Sequence, residues 1–303
     1  MQTGVEEFQR TIIEVAGEDG RRWLAELPSI LAACAARWSL RICLPCFDLS
    51  YNYVVPVVRD NGEEAVLKLG LPGPERDCER EALRLFDGRG MVRLIESDPS
   101  AGAMLLERLR PGDPLPPGDA AAISITAGLM RQYWRPPPEG YVFPSLADWA
   151  EGLRTMRDRF GGGTGPLPID LVERAEGLFQ DLLASTDAPV LLHGDLHYGN
   201  ILTAERAPWI AIDPKGVVGD SAYDTATLLC SLVNENNESP SSRRMFARDL
   251  DRLTEELELD RERILGWAIA QSVLSAWWMI EDHGRDWEPA IACAGFLVRG
   301  LKR

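Results

Sequence analysis

Apolar residues recur at helical spacing over residues 5–16 (Phe8, Ile12, Ile13) and 22–36 (Trp23, Leu24, Leu27, Leu31), which predicts two helices at the start of the chain. The period then changes. Residues 53–58 are rich in β-branched side chains, Asp60-Asn61-Gly62 is a hairpin turn sequence, and residues 64–69 read as the returning strand. After Pro72-Gly73-Pro74, residues 75–86 read as a helix; 91–96 and 103–109 read as two further strands joined by a turn at 98–102. The Pro/Gly-rich stretch 111–118 marks a hinge. Beyond it the helical period returns over 120–133, 145–160 and 169–185, with loops at 135–140 and 161–168. Residues 190–213 read as short strands and loops, and the remainder as helix. This pattern predicts an α+β, two-lobed protein: a small antiparallel β lobe with a helix over 1–109, including a helical extension over about 1–37; a hinge over 110–118; and a larger, mainly helical lobe over 119–303. In such a layout ligands are expected in the cleft between lobes, and the larger lobe would carry the catalytic loop and acceptor site.

Charge narrows the partners. The formal net charge is −15, so nucleic acid and anionic membranes are poor partners, while a cationic small molecule would be attracted. The same acidity also serves solubility, so charge alone does not choose. The first ten residues carry Glu6 and Glu7 and no apolar run. The longest nearly apolar stretch, 268–280, holds Gln271 and two serines and stops at Glu281, which suits a buried helix and not a bilayer span. A cytoplasmic protein, monomer or homodimer, is expected. Among six cysteines, Cys43 and Cys46 form a C-x-x-C with no second pair, expected to be buried, reduced thiols.

The chemistry concentrates in His193-Gly194-Asp195-Leu196-His197-Tyr198-Gly199-Asn200, a polar loop between apolar flanks. A polar insert between buried segments must be satisfied or used. The H-x-D-x-x-x-x-N spacing is that of a kinase catalytic loop, in which the Asp takes the proton of the acceptor hydroxyl and the Asn oxygen ligates magnesium. The apolar strand 209–212 ends in Asp213, and a hairpin would return it to Asn200 as a second oxygen ligand. The tripeptide that follows is Asp-Pro-Lys, not Asp-Phe-Gly. Upstream, Ala65-Val66-Leu67-Lys68 ends an apolar strand in a lysine, the position that contacts the α- and β-phosphates of ATP. Lysine is otherwise confined to Lys215 and Lys302. Glu79 and Glu81 are both candidates to pair with Lys68; Glu79 shares the face of Leu83 one turn on. The phosphate-covering turn should lie at residues 48–52. It lacks glycines, so Ser50 and Asn52 would have to supply donors. Neither a Walker motif nor G-x-G-x-x-G is present.

Together the runs 193–202 (H-G-D-L-H-Y-G-N-I-L) and 212–225 (I-D-P-K-G-V-V-G-D-S-A-Y-D-T) resemble the aminoglycoside phosphotransferase family, and within it the streptomycin and hydroxyurea phosphotransferase branch. Weaker similarity lies in 65–70, 105–112 and 275–284. The resemblance implies a protein-kinase-like fold and transfer of the γ-phosphate of ATP, with Mg2+, to a hydroxyl of a small molecule such as streptomycin. It also implies Asp195 as catalytic base, Asn200 and Asp213 as metal ligands, Lys68 on the phosphates, and the backbone of Glu107 to Leu109 on adenine. Asp220 and Asp224 would be structural, tying the loop after the metal site. Glu281, Asp282, Glu235 and Trp278 are candidates for the acceptor site, against the plainer readings of solvated helix ends and core packing. Glu238 shares both readings with Glu235, as do Trp277, Trp287 and Met279 with Trp278. His193 is expected to orient the loop. The competing functions are a kinase of another small metabolite alcohol, a metal-dependent hydrolase using His193-x-Asp195-x-His197, and a nucleotide-binding module without catalysis.

Overall fold

The computed structural model describes residues 2–47, 49–117, 119, 121–140, 143–233 and 239–301. The chain divides into two compact units, Met1–Gly112 and Asp113–Arg303.

The first unit is a five-stranded antiparallel sheet with helices on both faces. Strands β1 (Leu40–Ile42), β2 (Tyr53–Arg59), β3 (Glu64–Leu69), β4 (Leu94–Asp98) and β5 (Ala103–Glu107) lie in the order β1-β2-β3-β5-β4. Side chains alternate across a strand. Val55 and Val57, Ala65, Leu67 and Leu69, and Ala103 and Leu105 therefore share one face. That face is covered by helix α1 (Gln2–Arg37), through Phe8, Ile12, Trp23 and Cys34. Gly17 breaks α1 at φ 56°, ψ −127°, a conformation glycine adopts without a Cβ penalty, so the two periodic segments of the sequence are two helical halves. The break folds them together: Phe8 and Trp23 meet edge to face at 6.2 Å. On the opposite face lies α2 (Pro74–Phe86), which starts with proline in its first turn and Glu75 and Asp77 beside the positive end of its dipole.

The second unit begins inside β6 (Pro111–Pro114), which lies at the edge of the sheet β6-β8-β9 with β8 (Ile201–Ala204) and β9 (Trp209–Ala211). The stretch expected as a hinge thus contains a strand: the Asp113 N–H donates to Thr203 Oγ1 and the Leu115 N–H to Ile201 O. A second pair, β7 (Val190–Leu192) with β10 (Val217–Gly219), is antiparallel. The helices are α3 (Ala122–Tyr133), α4 (Leu146–Arg159), α5 (Ile169–Ala184), α6 (Thr225–Leu232), α7 (Pro240–Leu257), α8 (Arg261–His283) and α9 (Glu288–Leu301). α4 opens with a capping box in which Ser145 and Asp148 satisfy each other's backbone N–H. α8 is the centre of the unit. It is buried from Ile264 to Ile280 against α4, α5, α6, α7 and α9, which accounts for its nearly apolar sequence. No helix among the described residues is long and apolar enough to cross a membrane.

Several expectations shift. β1 and β10 were not foreseen, β4 runs over 94–98 where 91–96 was expected, and β5 stops at Glu107 where 109 was expected. Cys43 and Cys46 are half-buried and not buried.

Candidate active site

Lys68 lies in β3 on the face that α1 does not cover. It is 2% exposed, and its Nζ sits 2.6 Å from Glu79 Oε1 on α2. The other carboxylate oxygen of Glu79 accepts from Arg76, also buried, at 2.7 Å. Glu81 instead receives Arg80 and Arg84, so the pairing left open by sequence is settled by helix phase in favour of Glu79. Arg76 was not foreseen; on an amphipathic helix an arginine reads as a solvated charge. Its guanidinium lies against Gly70 and Asn52, where a Cβ on Gly70 would come within 2.5 Å of the Asn52 oxygen and closer still to the guanidinium. Arg76 Nε and Asn52 Oδ1 are both buried and have no hydrogen-bond partner among the described residues. The two cations converge on one buried carboxylate, which fixes both side chains in place. Ser50 is exposed, and Asp48 lies outside the described residues. Glu107 is tied into its own unit: its carboxylate takes the Arg93 N–H at 2.9 Å, and its N–H goes to Arg93 O. Leu109 is buried.

The second unit holds the loop between β7 and β8. His193 is fully buried. Its Nε2 is 2.8 Å from Ile212 O and its Nδ1 accepts the Asp195 N–H at 3.2 Å. That pair of partners assigns the proton to Nε2, and burial pushes the imidazole down to about 3, so the ring is neutral. Both nitrogens being occupied inside the loop, His193 cannot serve as a metal ligand, which removes one arm of the His-x-Asp-x-His triplet. Among the described residues no three His, Cys, Asp or Glu side chains are grouped to hold a metal.

The β8–β9 hairpin does what the sequence suggested. Ile201 pairs with Ala211, and the Ile212 N–H donates to Asn200 O at 2.9 Å, so Asp213 leaves the hairpin beside Asn200. Asp213 has φ 60°, a left-handed conformation uncommon outside glycine. Asn200 Nδ2 donates to Asp195 O at 2.9 Å, which leaves the amide oxygen as the group that could meet a cation. The Asp195 carboxyl is raised by burial and further by the Asp213 charge, while Lys215 and His197 pull it back. Lys215 Nζ stands 3.8 Å from Asp195 Oδ2; its backbone N–H donates to His193 O at 2.7 Å.

The loop is held from below by Asp224, which is 1% exposed. Its Oδ1 accepts the Gly194 N–H at 2.7 Å; its Oδ2 accepts the His193 N–H at 3.1 Å, and Tyr133 OH and Trp134 Nε1 at 2.9 Å each. Burial raises this carboxyl and the four donors draw it down. Asp224 therefore ties the loop before the hairpin, where the sequence suggested the loop after it. Asp220 ties α8: it accepts Trp267 Nε1 at 2.7 Å and the guanidinium of Arg263. Gly194 has φ 82°, and a Cβ there would lie 2.9 Å from the Trp149 ring. Trp149 in turn meets Trp278 edge to face at 5.4 Å, which connects one acceptor candidate to the catalytic loop. Trp277 is core. Glu281 is exposed and Asp282 half-buried at the end of α8; burial and the Asp282 charge raise the Glu281 carboxyl. Glu235 and Glu238 lie outside the described residues.

Residues 37–283 match the family model described as aminoglycoside/hydroxyurea antibiotic resistance kinase. A streptomycin 6-kinase of Streptomyces glaucescens is 35% identical over 296 residues, covering 94% of this chain and 93% of its own. A hydroxyurea phosphotransferase of Kitasatospora aureofaciens is 37% identical over 296 residues, covering 92% of this chain and 82% of its own. In fold, the chain is similar to an aminoglycoside phosphotransferase solved with ADP and hygromycin B, with TM-score 0.64, 14% identity, and 88% and 97% of the two chains covered. On these matches the chain is a phosphotransferase and belongs to the aminoglycoside/hydroxyurea antibiotic resistance kinases.

Proposed function

We propose that this kinase transfers the γ-phosphate of ATP to a hydroxyl of a streptomycin-type aminoglycoside, with Asp195 as the base. The observation that carries the reading is the catalytic loop itself. His193 fixes the Asp195 N–H, Asn200 fixes the Asp195 carbonyl, and the hairpin delivers Asp213 beside Asn200. A raised Asp195 carboxyl suits a group that must accept a proton near neutral pH. The acidic balance of the chain favours a polycationic acceptor.

The donor set suits magnesium. The Asn200 amide oxygen and the Asp213 carboxylate are hard oxygen donors, and the neighbouring Asp195 and Asp213 charges repel until a cation is present. Bound there, Mg2+ would neutralise charge on the nucleotide phosphates. Lys68 binds the α- and β-phosphates, held in place by Glu79, and Arg76 Nε supplies a buried donor that has no partner among the described residues. Asp195 orients the acceptor hydroxyl and removes its proton as the phosphoryl group is taken up. Lys215 offsets negative charge beside that carboxylate. Trp278, Glu281 and Asp282 are assigned to the acceptor, the aromatic face and the carboxylates both suiting guanidinium and ammonium groups. Ser50 and Asn52 are assigned to the phosphate turn, and the backbone of Glu107 to Leu109 to adenine.

A second reading has a neutral N-hydroxy acceptor, favoured by the identity to the hydroxyurea phosphotransferase. ADP formation measured with streptomycin, hydroxyurea, and small amino alcohols and sugars separates the two. Streptomycin-dependent turnover that vanishes in Asp195→Ala is the expected result. No turnover with streptomycin, against turnover with hydroxyurea or a metabolite alcohol, overturns the acceptor while leaving the kinase intact.

A further inference from the structure

α6, α8 and α9 line a half-open cavity of about 200 Å³, with Thr227, Cys230, Gln271, Ser275, Pro289 and Cys293 in its wall. Two thiols from different helices meet on its wall. Cys230 on α6 and Cys293 on α9 are 63 residues apart in sequence, and their sulfurs are 2.9 Å apart with the Cys293 S–H directed at Cys230. Non-bonded heavy atoms ordinarily stop at about 3.5–4.0 Å, so the sulfurs already press together. Ser272 Oγ, 3.0 Å from Cys230 and 3.5 Å from Cys293, holds both from α8. Cys293 is 4% exposed and Cys230 is half-buried.

We propose that Cys230 and Cys293 are an oxidisable dithiol that closes to a disulfide when hydrogen peroxide enters this cavity, clipping α6 to α9. The motion required is small: from 2.9 Å the sulfurs approach by about 0.9 Å to reach a bond of about 2.05 Å. The hydrogen bond from Cys293 draws the Cys230 thiol down, and the same contact together with burial holds Cys293 well up, the order that suits first attack by Cys230. Its thiolate attacks one peroxide oxygen; the S–O bond forms, the O–O bond breaks, and the departing hydroxide takes a proton to leave as water. Cys293 then gives up its proton and attacks the sulfenic sulfur. The S–S bond forms, the S–O bond breaks, and a second water leaves. Two thiols are oxidised by two electrons in all and one peroxide is reduced to two waters. α6 begins at Thr225, directly after the Asp224 that holds the catalytic loop. Because the two sulfurs already touch, the clip forms without displacing that carboxylate, and the linked enzyme keeps its turnover and melts at higher temperature.

The test uses the full chain. The reduced protein is treated with a few equivalents of hydrogen peroxide under native conditions and alkylated with N-ethylmaleimide. It is then digested without reductant and read by mass spectrometry, with thermal melts of both forms. The expected result is one peptide pair joined through Cys230 and Cys293 and lighter by two hydrogens, reversed by dithiothreitol, with a melting temperature several degrees above the reduced form. Cys293→Ala, if folded by circular dichroism, should lose the link and the rise in melting temperature, its Cys230 advancing to the sulfinic acid. Maleimide on both cysteines after peroxide, a link formed only after denaturation, or a link that leaves the melting temperature unchanged overturns the proposal. The wild-type comparison alone decides the matter if the variant fails to fold.

Discussion

Gly194 and Asp224, 30 residues apart, are joined by a 2.7 Å hydrogen bond from the glycine N–H to a carboxylate that is 1% exposed. Three further donors converge on the other oxygen of the same carboxylate. Asp224→Asn keeps the volume but turns one acceptor into a donor, so at least one N–H then faces another N–H in the core. The expected cost is about 1–3 kcal/mol, read by urea unfolding. Turnover should fall at least tenfold with the KM for ATP little changed, because the carboxylate acts on the loop and not on the nucleotide.

His193 makes stability depend on pH. Its folded value of about 3 lies below the ordinary 6.5 of an exposed histidine. Above 6.5 both states are neutral and nothing is lost. As pH falls below 6.5 the unfolded chain takes a proton that the folded ring refuses, and stability declines until about pH 3, by up to about 5 kcal/mol at about 1.4 kcal/mol per unit. Denaturant melts of wild type and His193→Gln between pH 4 and 8 should converge at low pH as the wild type loses this margin. Parallel curves would refute the buried neutral ring.

The buried cluster of the first unit predicts an asymmetry between two partners. Lys68→Met leaves Glu79 paired with Arg76, so it should raise the KM for ATP strongly at modest cost in stability. Glu79→Ala takes a shared carboxylate from two buried cations at once, and removing one partner of a buried pair costs about 3–5 kcal/mol. Thermal melts together with ATP titrations of the two variants check the ordering.

Lys215 lowers the Asp195 carboxyl, against burial and the Asp213 charge, which raise it. Removing that lysine should raise the carboxyl further. The acid limb of kcat/KM in Lys215→Met is expected to move to higher pH, and Lys215→Arg should restore it. An unmoved limb would dissociate Lys215 from the base.

What the sequence made legible was local. The β3 lysine, the His-x-Asp-x-x-x-x-Asn loop and the strand ending in Asp213 are each written in a short window, and the β8–β9 hairpin follows from the length between them. Contacts made across the chain carried no such mark. Asp224 is bound to residues 193 and 194, which no periodicity announces, and Arg76 reads as a surface charge until Glu79 is seen beside it. β1 and β10, at three residues each, are too short for a period of two to show. The first helices bore no recognisable motif because their work is to cover a sheet.

That cover has a practical consequence. The match to the family model starts at residue 37, yet the apolar side of the five-stranded sheet is sealed by Phe8, Ile12, Trp23 and Cys34, all upstream of it. A truncation placed at the start of that match would strip the lid from seven inward-facing strand residues and is expected to yield an insoluble product. An apolar sheet face needs its cover wherever the edge of a sequence match falls.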